Sequence, residues 1–297
     1  MRRNAPDIPG TPATLPDAIL QARALFPRGL AQPEGSFRFS VDALLLAAFA
    51  AEGLTARERK PRQGGGIAPD ARAMPGTGKP LAFADLGAGC GVVGLALLLA
   101  HPHLTGTGID IDGELANAAR QNVVRLGLAD RFRVLRADLA APGTAAFDAL
   151  PPAGSMDLVV ANPPYRRHGS GRPSPSGQRT RALFDTPETL PAFTQAAARL
   201  LRARGFSCWV YGPDRLPDLL LALRATGLEP KRMRCVHARA HGPATLVLVE
   251  AHRAGKPGLI VEPPLILHTG EGTATALTGE ALAFCPLLAC NAGGGNR

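Results

Sequence analysis

Residues 156–165 read Met-Asp-Leu-Val-Val-Ala-Asn-Pro-Pro-Tyr, and this stretch decides how the rest of the chain is interpreted. Its first six residues have the apolar composition of a buried strand. The two prolines cannot continue that strand because proline lacks the N–H that the ladder requires. Ligands of α/β folds bind at the carboxyl ends of strands. The stretch therefore predicts a strand that ends at a ligand-binding edge. The alternative is a plain turn from strand to loop.

Two side chains at this strand end suit a planar amine as ligand. The amide of Asn162 offers a carbonyl oxygen as acceptor and an N–H group as donor. The ring of Tyr165 offers a flat face on which a base can stack. Together they indicate a substrate with a planar nitrogen, held between an amide and an aromatic ring.

Strand and helix patterns alternate on both sides of this stretch, as a parallel sheet requires. We place strands near 81–86, 104–110, 132–137, 156–161 and 206–211, and helices near 91–101, 112–127, 187–204 and 214–226. Two β-rich runs, 231–237 and 245–250, are joined by His241-Gly242-Pro243 and predict an antiparallel pair at the sheet edge. The fold class is therefore α/β, with a mostly parallel, doubly wound sheet and an antiparallel edge hairpin.

The remaining segments divide the chain. Residues 1–32 are predicted to be an N-terminal extension with one short helix, and residues 33–254 the main domain. A basic, Pro/Gly-rich insertion over 55–80 has no hydrophobic period, which indicates flexibility. It is interpreted either as an arm for RNA phosphates or as a tolerated loop expansion. Residues 255–297 lose the strand–helix rhythm and are predicted to be a partly ordered C-terminal tail.

Composition limits the classes of function. The net charge of +9 favours a polyanionic partner, although a basic proteome would also produce it. The five cysteines are odd in number and form no C-x-x-C pair, which argues against a zinc site or disulfide framework and favours a reduced, cytoplasmic protein. No apolar run reaches the roughly 18 to 20 residues of a membrane helix, so no membrane partner is expected. The first residues lack the apolar stretch of a secretory signal.

A glycine-rich turn, Asp85-Leu86-Gly87-Ala88-Gly89-Cys90-Gly91, joins the first predicted strand to its helix. Its glycines let the backbone turn tightly and approach a ligand. Their spacing differs from the G-x-G-x-x-G of dinucleotide folds, which argues against a dinucleotide oxidoreductase. An anionic Asp85 would repel phosphate and attract an amine or a sulfonium. At the end of the second strand, Asp110 is placed to accept hydrogen bonds from ribose hydroxyls, and Asp112 to cap the next helix.

Several stretches resemble known methyltransferase sequences. The glycine turn resembles motif I of the S-adenosylmethionine-dependent methyltransferases, and Asn162-Pro163-Pro164-Tyr165 is similar to the N-P-P-Y motif of class I amino-methyltransferases. Residues 37–47 and 227–237 resemble the bacterial tRNA1(Val) adenine-37 N6-methyltransferase family, as do 249–251 and 255–259. The resemblance covers roughly 33–268. It implies a Rossmann-like class I methyltransferase fold, with S-adenosyl-L-methionine as cofactor and tRNA as partner.

The resemblance also implies roles for individual residues. Asn162 and the Pro163 carbonyl would accept the two N6 hydrogens of an adenine, and Tyr165 would stack on the base. The residues expected to bind the cofactor are Phe39, Ser40, Asp42, Asp85, Gly87, Gly89, Gly91, Asp110 and Asp138. The residues expected to contact the substrate are Pro164, Arg166, Arg167, Arg179 and Arg181, with Gln178 beside them.

Some of these residues have plainer explanations. Ser40 and Asp42 could instead cap the buried helix predicted to follow them, Asp110 could cap the helix after the second strand, and Asp138 could be a turn residue. The Arg-rich loop over 166–181 could be merely a solvated loop. Other amino substrates also remain open: a release-factor glutamine, the N2 of a ribosomal RNA guanine, or a DNA adenine. A non-catalytic RNA-binding protein of the same fold is a further alternative.

Overall fold

Five parallel strands form the centre of the sheet. They are β1 (Leu81–Leu86), β2 (Leu104–Asp110), β3 (Phe132–Arg136), β4 (Met156–Ala161) and β5 (Leu201–Tyr211), arranged in the order β3-β2-β1-β4-β5. The computed structural model describes residues 15–34, 39–59, 81–164, 188–270 and 272–290. Within these ranges the sheet has nine strands. The order reverses between β1 and β4, and ligands bind at such a switch point in doubly wound sheets.

The antiparallel pair lies next to β5, as the sequence predicts. It consists of β6 (Leu228–His237) and β7 (Ala244–Arg253), and β7 lies between β5 and β6 and runs antiparallel to both. Two short strands, β8 (Ile260–Val261) and β9 (Leu265–Ile266), pair with the outer side of β6. The mixed sheet confirms the predicted fold class.

Helices cover both faces of the sheet. They are α1 (Asp17–Leu25), α2 (Val41–Arg59), α3 (Val92–Ala100), α4 (Gly113–Arg125), α5 (Ala145–Asp148), α6 (Thr189–Leu200), α7 (Leu216–Ala225) and α8 (Gly279–Phe284). The first four and α8 contribute to one apolar cluster, and α6 and α7 contribute to another. Along β4, Leu158 and Val160 belong to the first cluster and Val159 to the second. This strand is buried on both faces, which explains its continuous apolar run.

The helix predicted over 187–204 is too long, because α6 ends at Leu200 and β5 begins at Leu201 with no loop between them. Leu201 pairs with Met156 of β4, and Arg202 forms an ion pair with Asp157. These contacts with β4 place residues 201–204 in a strand, although their sequence pattern predicts a helix. Tertiary pairing overrides a weak local preference here.

The predicted insertion begins within a helix. Residues 55–59 are the last part of α2, and the rest of the range lies outside the described residues. Arg57, near the end of α2, donates to Glu250 of β7 at 2.8 Å, which ties this end of the helix to the sheet. The apolar face of α2 is buried as predicted, and Leu44, Leu45 and Leu46 are fully enclosed.

Both terminal segments pack on the main domain where they are described. In the N-terminal segment, Arg23 Nε donates to the Leu126 carbonyl at 2.9 Å, and Phe26 is buried. In the C-terminal segment, β10 (His268–Thr269) and β11 (Ala276–Leu277) form a separate two-stranded sheet. The Cys285 thiol lies 3.5 Å from the Leu44 carbonyl of α2. The boundaries at 32 and 254 stay predictions.

None of the described helices combines the length and the apolar character that crossing a membrane demands.

Candidate active site

The carboxyl ends of β1, β2 and β4 bring three predicted site elements together. Leu86 of β1 pairs with Ile109 of β2 on one side and with Ala161 of β4 on the other. The residues that follow these three are the glycine turn, Asp110 and Asn162. Parallel strands present their ends at one edge of a sheet, so the sequence prediction of a shared site agrees with the register.

The glycine turn adopts a backbone that other residues rarely tolerate. Gly87, Gly89 and Gly91 have φ angles of +67°, +57° and +88°. The N–H of Gly87 donates to the Ile109 carbonyl at 2.8 Å, which fixes the turn against β2. A Cβ on Gly89 would meet no atom within 4 Å, so the turn faces open space at that residue. A ligand can therefore approach the backbone there.

Asp110 holds the turn in place. Its Oδ2 accepts from the Gly89 N–H at 2.7 Å, and its Oδ1 accepts from the Asp112 N–H at 2.8 Å. Burial raises the pKa of this carboxyl, and the two backbone donors partly oppose that effect. A carboxylate has about four lone-pair sites, so both oxygens retain capacity for further donors. Asp112 caps α4 as predicted, since its Oδ1 accepts from the Glu114 N–H at 2.8 Å.

Asp85 lies deeper than the sequence suggests. Its side chain is 1% exposed, and Oδ2 accepts from the Gly94 N–H of α3 at 2.9 Å. Burial raises its pKa to about 7, and the nearby charge of Asp110 adds to the increase. The carboxyl is therefore partly protonated at neutral pH, whereas the sequence reasoning treated it as an anion.

The ends of β3 and β2 add one expected residue and one that sequence reasoning missed. Asp138 is half-buried, and its Oδ1 accepts from the Ala140 N–H at 2.8 Å, which is an Asx-turn. Oδ2 has no hydrogen-bond partner among the described residues. Ile111, between Asp110 and Asp112, is 52% exposed. An apolar side chain between two acids at a strand end is the signal that could have identified it as a surface for a flat ring.

Asn162 follows β4 and is half-buried. Its amide makes no hydrogen bond with any residue in the part of the chain that the structure describes. Pro163 is buried and Pro164 is half-buried. The amide is therefore held on a stiff backbone with its donor and acceptor both available to a ligand. Tyr165, Arg166, Arg167, Gln178, Arg179 and Arg181 lie outside the described residues.

The start of α2 departs from one expectation. Ser40 precedes the first helical residue, but its buried Oγ has no hydrogen-bond partner among the described residues, so the predicted side-chain cap is not formed. Only its backbone carbonyl serves the helix, accepting from the Ala43 N–H at 3.2 Å. Phe39 packs against the core beside it, and Asp42 lies in the first turn.

An aromatic residue of α6 covers one side of the glycine turn, and sequence reasoning did not find it. A Cβ on Gly87 would lie 3.1 Å from Cζ of Phe193 on α6. Phe193 therefore closes the side of the turn nearest α6, while Gly89 stays open. No group of three or more His, Cys, Asp or Glu side chains within the described ranges could hold a metal ion.

Comparisons with known proteins agree with this geometry. Residues 74–174 match the methyltransferase small domain. A tRNA1(Val) (adenine(37)-N6)-methyltransferase of Tolumonas auensis is 32% identical over 188 residues, which cover 62% of this chain and 73% of that protein. The protein of that name from Porphyromonas gingivalis is 29% identical over 166 residues. Those residues cover 56% of this chain but only 63% of the Porphyromonas protein's length.

A relative with a different substrate in its name is also similar. The release factor glutamine methyltransferase of Rhodospirillum rubrum is 31% identical over 191 residues, covering 59% of this chain and 56% of that protein. Among solved structures, a predicted O-methyltransferase of Agrobacterium tumefaciens has a TM-score of 0.59 at 21% identity, covering 83% of this chain and 96% of that one. At that identity the likeness concerns the fold alone.

Proposed function

Because the chain belongs to the class I S-adenosylmethionine-dependent methyltransferases, we propose that it methylates N6 of adenine 37 in tRNA1(Val). The observation that carries the proposal is the Asn162 amide, which is accessible, unpaired within the described residues and held at the switch point beside the glycine turn. A buried strand that ends in an available amide suits a ligand with a planar nitrogen. The relatives named for this tRNA support the specific substrate.

The residues at the strand ends fit the cofactor. The open space over Gly89 admits a ligand to the backbone, and the remaining lone pairs of Asp110 suit ribose hydroxyls. Oδ2 of Asp138 suits an exocyclic amine, and Ile111 offers an apolar face to a purine. The Ser40 hydroxyl, which has no partner in the described parts of the chain, is a further candidate for a polar end of the ligand. When bound, the cofactor supplies a methyl group on a positively charged sulfur.

Asn162 and Pro163 would activate the acceptor nitrogen by geometry. The lone pair of an adenine amine is delocalised into the ring, which makes the nitrogen a poor nucleophile. Asn162 Oδ1 would accept one N6 hydrogen and the Pro163 carbonyl the other, which holds the nitrogen towards tetrahedral geometry. The fixed φ of proline aims that carbonyl at low entropic cost. Such a preorganised group typically contributes about 100-fold to 1,000-fold in rate.

The charge that develops on N6 needs acceptors rather than a strong base. As the new N–C bond forms and the bond between the methyl group and sulfur breaks, N6 would become cationic and the sulfur neutral. Both acceptors would then bind N6 more tightly than they bind the neutral amine. The surplus proton would stay on N6, hydrogen-bonded to Asn162 Oδ1, until solvent removes it. Tyr165 would keep the extruded base in position by stacking.

An RNA substrate also accords with the net charge of +9. It would place the protein in the cytoplasm. The second candidate substrate is a release-factor glutamine, supported by the Rhodospirillum relative. Its side-chain amide is also a planar nitrogen, so the same pair of acceptors would suit it. The Asn162 pocket alone does not separate the two substrates, and the experiment must offer both.

The test is labelled methyl transfer with the full chain, an unmodified tRNA1(Val) transcript and a release factor in separate reactions. We expect transfer to the tRNA, located at N6 of adenine 37 by nucleoside mass spectrometry. Asn162→Ala should lower the rate about 100-fold or more. Asn117→Ala, which removes an exposed amide on α4, is the matched control and should keep the parent rate. Transfer to the release factor alone would overturn the substrate, and an active Asn162→Ala variant would overturn the mechanism.

A further inference from the structure

The turn between β6 and β7 lies at the same edge of the sheet as Asn162. Ala161 of β4 pairs with Trp209 of β5, Trp209 pairs with Val249 of β7, and Val249 pairs with Met233 of β6. These residues form one row across the sheet. From Met233, β6 continues to His237 before the chain turns back. Because β6 runs in the direction of β4, this turn projects beyond the carboxyl edge.

The distances suit a polymer that also reaches Asn162. Three strand spacings separate β4 from β6, which is about 14 Å across the sheet. The extension from Met233 to His237 adds about 13 Å beyond the edge. A substrate larger than a single nucleotide, with its target base at Asn162, would therefore meet the turn a few nucleotides away.

The β10–β11 hairpin supports the turn from the side. Arg239 donates through Nη1 to the Gly270 carbonyl and through Nη2 to Thr275 Oγ1 at 2.8 Å. The His268 N–H donates to the Ala238 carbonyl at 3.1 Å. We name residues 237–243 together with 268–270 the histidine rim. The hairpin that the sequence assigned to a tail thus completes a surface beside the candidate active site.

The hydrogen bonds of two histidines in the rim determine which tautomer each adopts when neutral. Nδ1 of His237 lies 2.9 Å from the Gly242 carbonyl, and Nδ1 of His268 lies 3.3 Å from the Ala238 carbonyl. A carbonyl oxygen only accepts, so Nδ1 must carry the hydrogen in each ring. Nε2 of each neutral ring is therefore an acceptor. Neither Nε2 has a partner in the described part of the chain.

The charge of the rim also favours a polyanion. Residues 237–247 contain no acid, and Arg239 and His241 are exposed. Arg239 uses two of its five N–H donors in the hydrogen bonds to Gly270 and Thr275, which leaves three for other acceptors. Glu271 lies outside the described residues.

We infer that the histidine rim binds the RNA backbone next to the target nucleotide, with Arg239 on phosphate and Nε2 of His237 and His268 on ribose 2′-hydroxyls. The inference rests on the proposed RNA substrate and adds a second contact surface to it. A 2′-hydroxyl can donate to an unprotonated Nε2, whereas a phosphate cannot. The rim would thereby distinguish RNA from DNA of the same sequence.

The test compares binding of the full chain to an anticodon stem-loop made of RNA and to the same sequence made of DNA, by fluorescence anisotropy over a series of salt concentrations. Arg239→Glu should weaken RNA binding about tenfold and reduce the log–log salt slope by about 1. Arg133→Glu, at an exposed arginine on the opposite edge strand β3, is the matched control and should leave the slope near the parent value. Arg239→Lys keeps the positive charge but loses the two hydrogen bonds to Gly270 and Thr275. Because the phosphate contact depends mainly on charge, this variant should retain most of the parent's RNA binding.

The double variant His237→Phe, His268→Phe should reduce the preference for RNA over DNA while leaving DNA binding unchanged. Cofactor affinity by calorimetry confirms that each variant is folded. If the parent methylates tRNA and every rim variant binds RNA like the parent, the rim inference fails and the proposed function stands. If the parent does not bind tRNA, both fail. If the rim variants lose only release-factor binding, the surface serves a protein and the RNA assignment is wrong.

Discussion

Two buried carboxyl groups in this molecule have opposite properties. Asp85, under the glycine turn, is 1% exposed and accepts one backbone N–H from Gly94. Glu250, in the middle of β7, is 5% exposed and contacts three cationic or protonatable side chains. Arg57 donates to it at 2.8 Å, His252 lies 2.7 Å from it, and Arg232 donates at 3.1 Å.

The pKa values of these groups follow from their partners. Burial alone would raise the pKa of both. At Asp85 burial is the largest influence and the pKa is about 7. At Glu250 burial is opposed by the hydrogen bonds from His252 and Arg57 and by the charge of Arg232, which together lower the pKa to about 2. Burial therefore does not decide the charge of a carboxyl group; the compensation around it does.

The same contrast separates the site from the framework. Asn162 at the carboxyl edge and Ser40 before α2 have polar atoms without partners in the described residues, and the glycine turn has an uncommon backbone. Around Glu250, Arg232 bonds Glu52, Glu262 and the Phe49 carbonyl, and its guanidinium stacks on the Phe49 ring. The first region retains capacity for a ligand, and the second uses its polar groups to join α2 to the sheet.

The largest expected effect comes from removing Glu250. Glu250→Ala should lower the free energy of unfolding by roughly 3 kcal/mol, because it leaves Arg57 and Arg232 uncompensated beside the core. The figure is at the low end of the usual range since the Arg57 side chain is 33% exposed. Urea unfolding followed by circular dichroism measures it, with the exposed Glu280→Ala on α8 as control. A change as small as that of the control would mean that the cluster contributes no net stability.

The two glycines of the turn sharpen the comparison within the site. Gly87→Ala should lower the free energy of unfolding by about 2 kcal/mol, because the new residue is strained at positive φ and its Cβ meets Phe193. Gly89→Ala should lower the free energy of unfolding by about 1 kcal/mol, from backbone strain alone. It should, however, weaken cofactor binding more than Gly87→Ala does. Thermal unfolding and calorimetric titration with S-adenosylmethionine separate the two effects. Equal losses of affinity in both variants would contradict the assignment of the open side to Gly89.

The smallest effect concerns pH. The folded-state pKa of Asp85 is raised from 3.8 to about 7, so the folded state binds an additional proton, and stability falls as pH rises through this range. Between pH 6 and pH 8, the ionisation of Asp85 should lower the free energy of unfolding by about 1 kcal/mol. Glu250 acts in the opposite direction. Its contribution to stability is complete above pH 4.5 and is lost as the pH falls through about 2. Urea unfolding of Asp85→Asn should show a flatter profile between pH 6 and pH 8 than the parent. An unchanged profile would assign the dependence to other groups.

The sequence predicted those parts of the site that depend on short local motifs. Glycine spacing, an acid at a strand end and the Pro-Pro stop are each visible within a few residues, and the register of β1, β2 and β4 aligned them. The depth of Asp85 was not visible, because burial depends on α3 and on packing across the sheet. The contact between Phe193 and Gly87 joins residues far apart in the chain, which no local pattern reveals.

The C-terminal segment shows a different limit. Strands β8 and β9 have two residues each, too few for an alternating pattern. The buried residues Ala281, Cys285 and Leu288 do have helical spacing, so a signal was present there. The Gly- and Thr-rich residues before them concealed it. The unsatisfied hydroxyl of Ser40 illustrates the reverse case, because a serine before a helix normally caps it.

The direct passage from α6 into β5 has a consequence for how this protein can vary. Leu200 ends the helix and Leu201 already pairs with Met156, so no residue is spare between them. One residue inserted between Leu200 and Leu201 would turn α6 relative to the sheet or separate Leu201 from Met156. Beyond Leu201 the ladder is irregular, because Leu158 of β4 pairs with Phe206 of β5 and leaves residues 202–205 outside the regular register. The stretch 202–205, rather than the junction itself, is therefore where a change in chain length can be absorbed without exchanging the faces of Trp209 and its neighbours. A short natural insertion should be tolerated at the exposed residues 202–204 and rejected between Leu200 and Leu201.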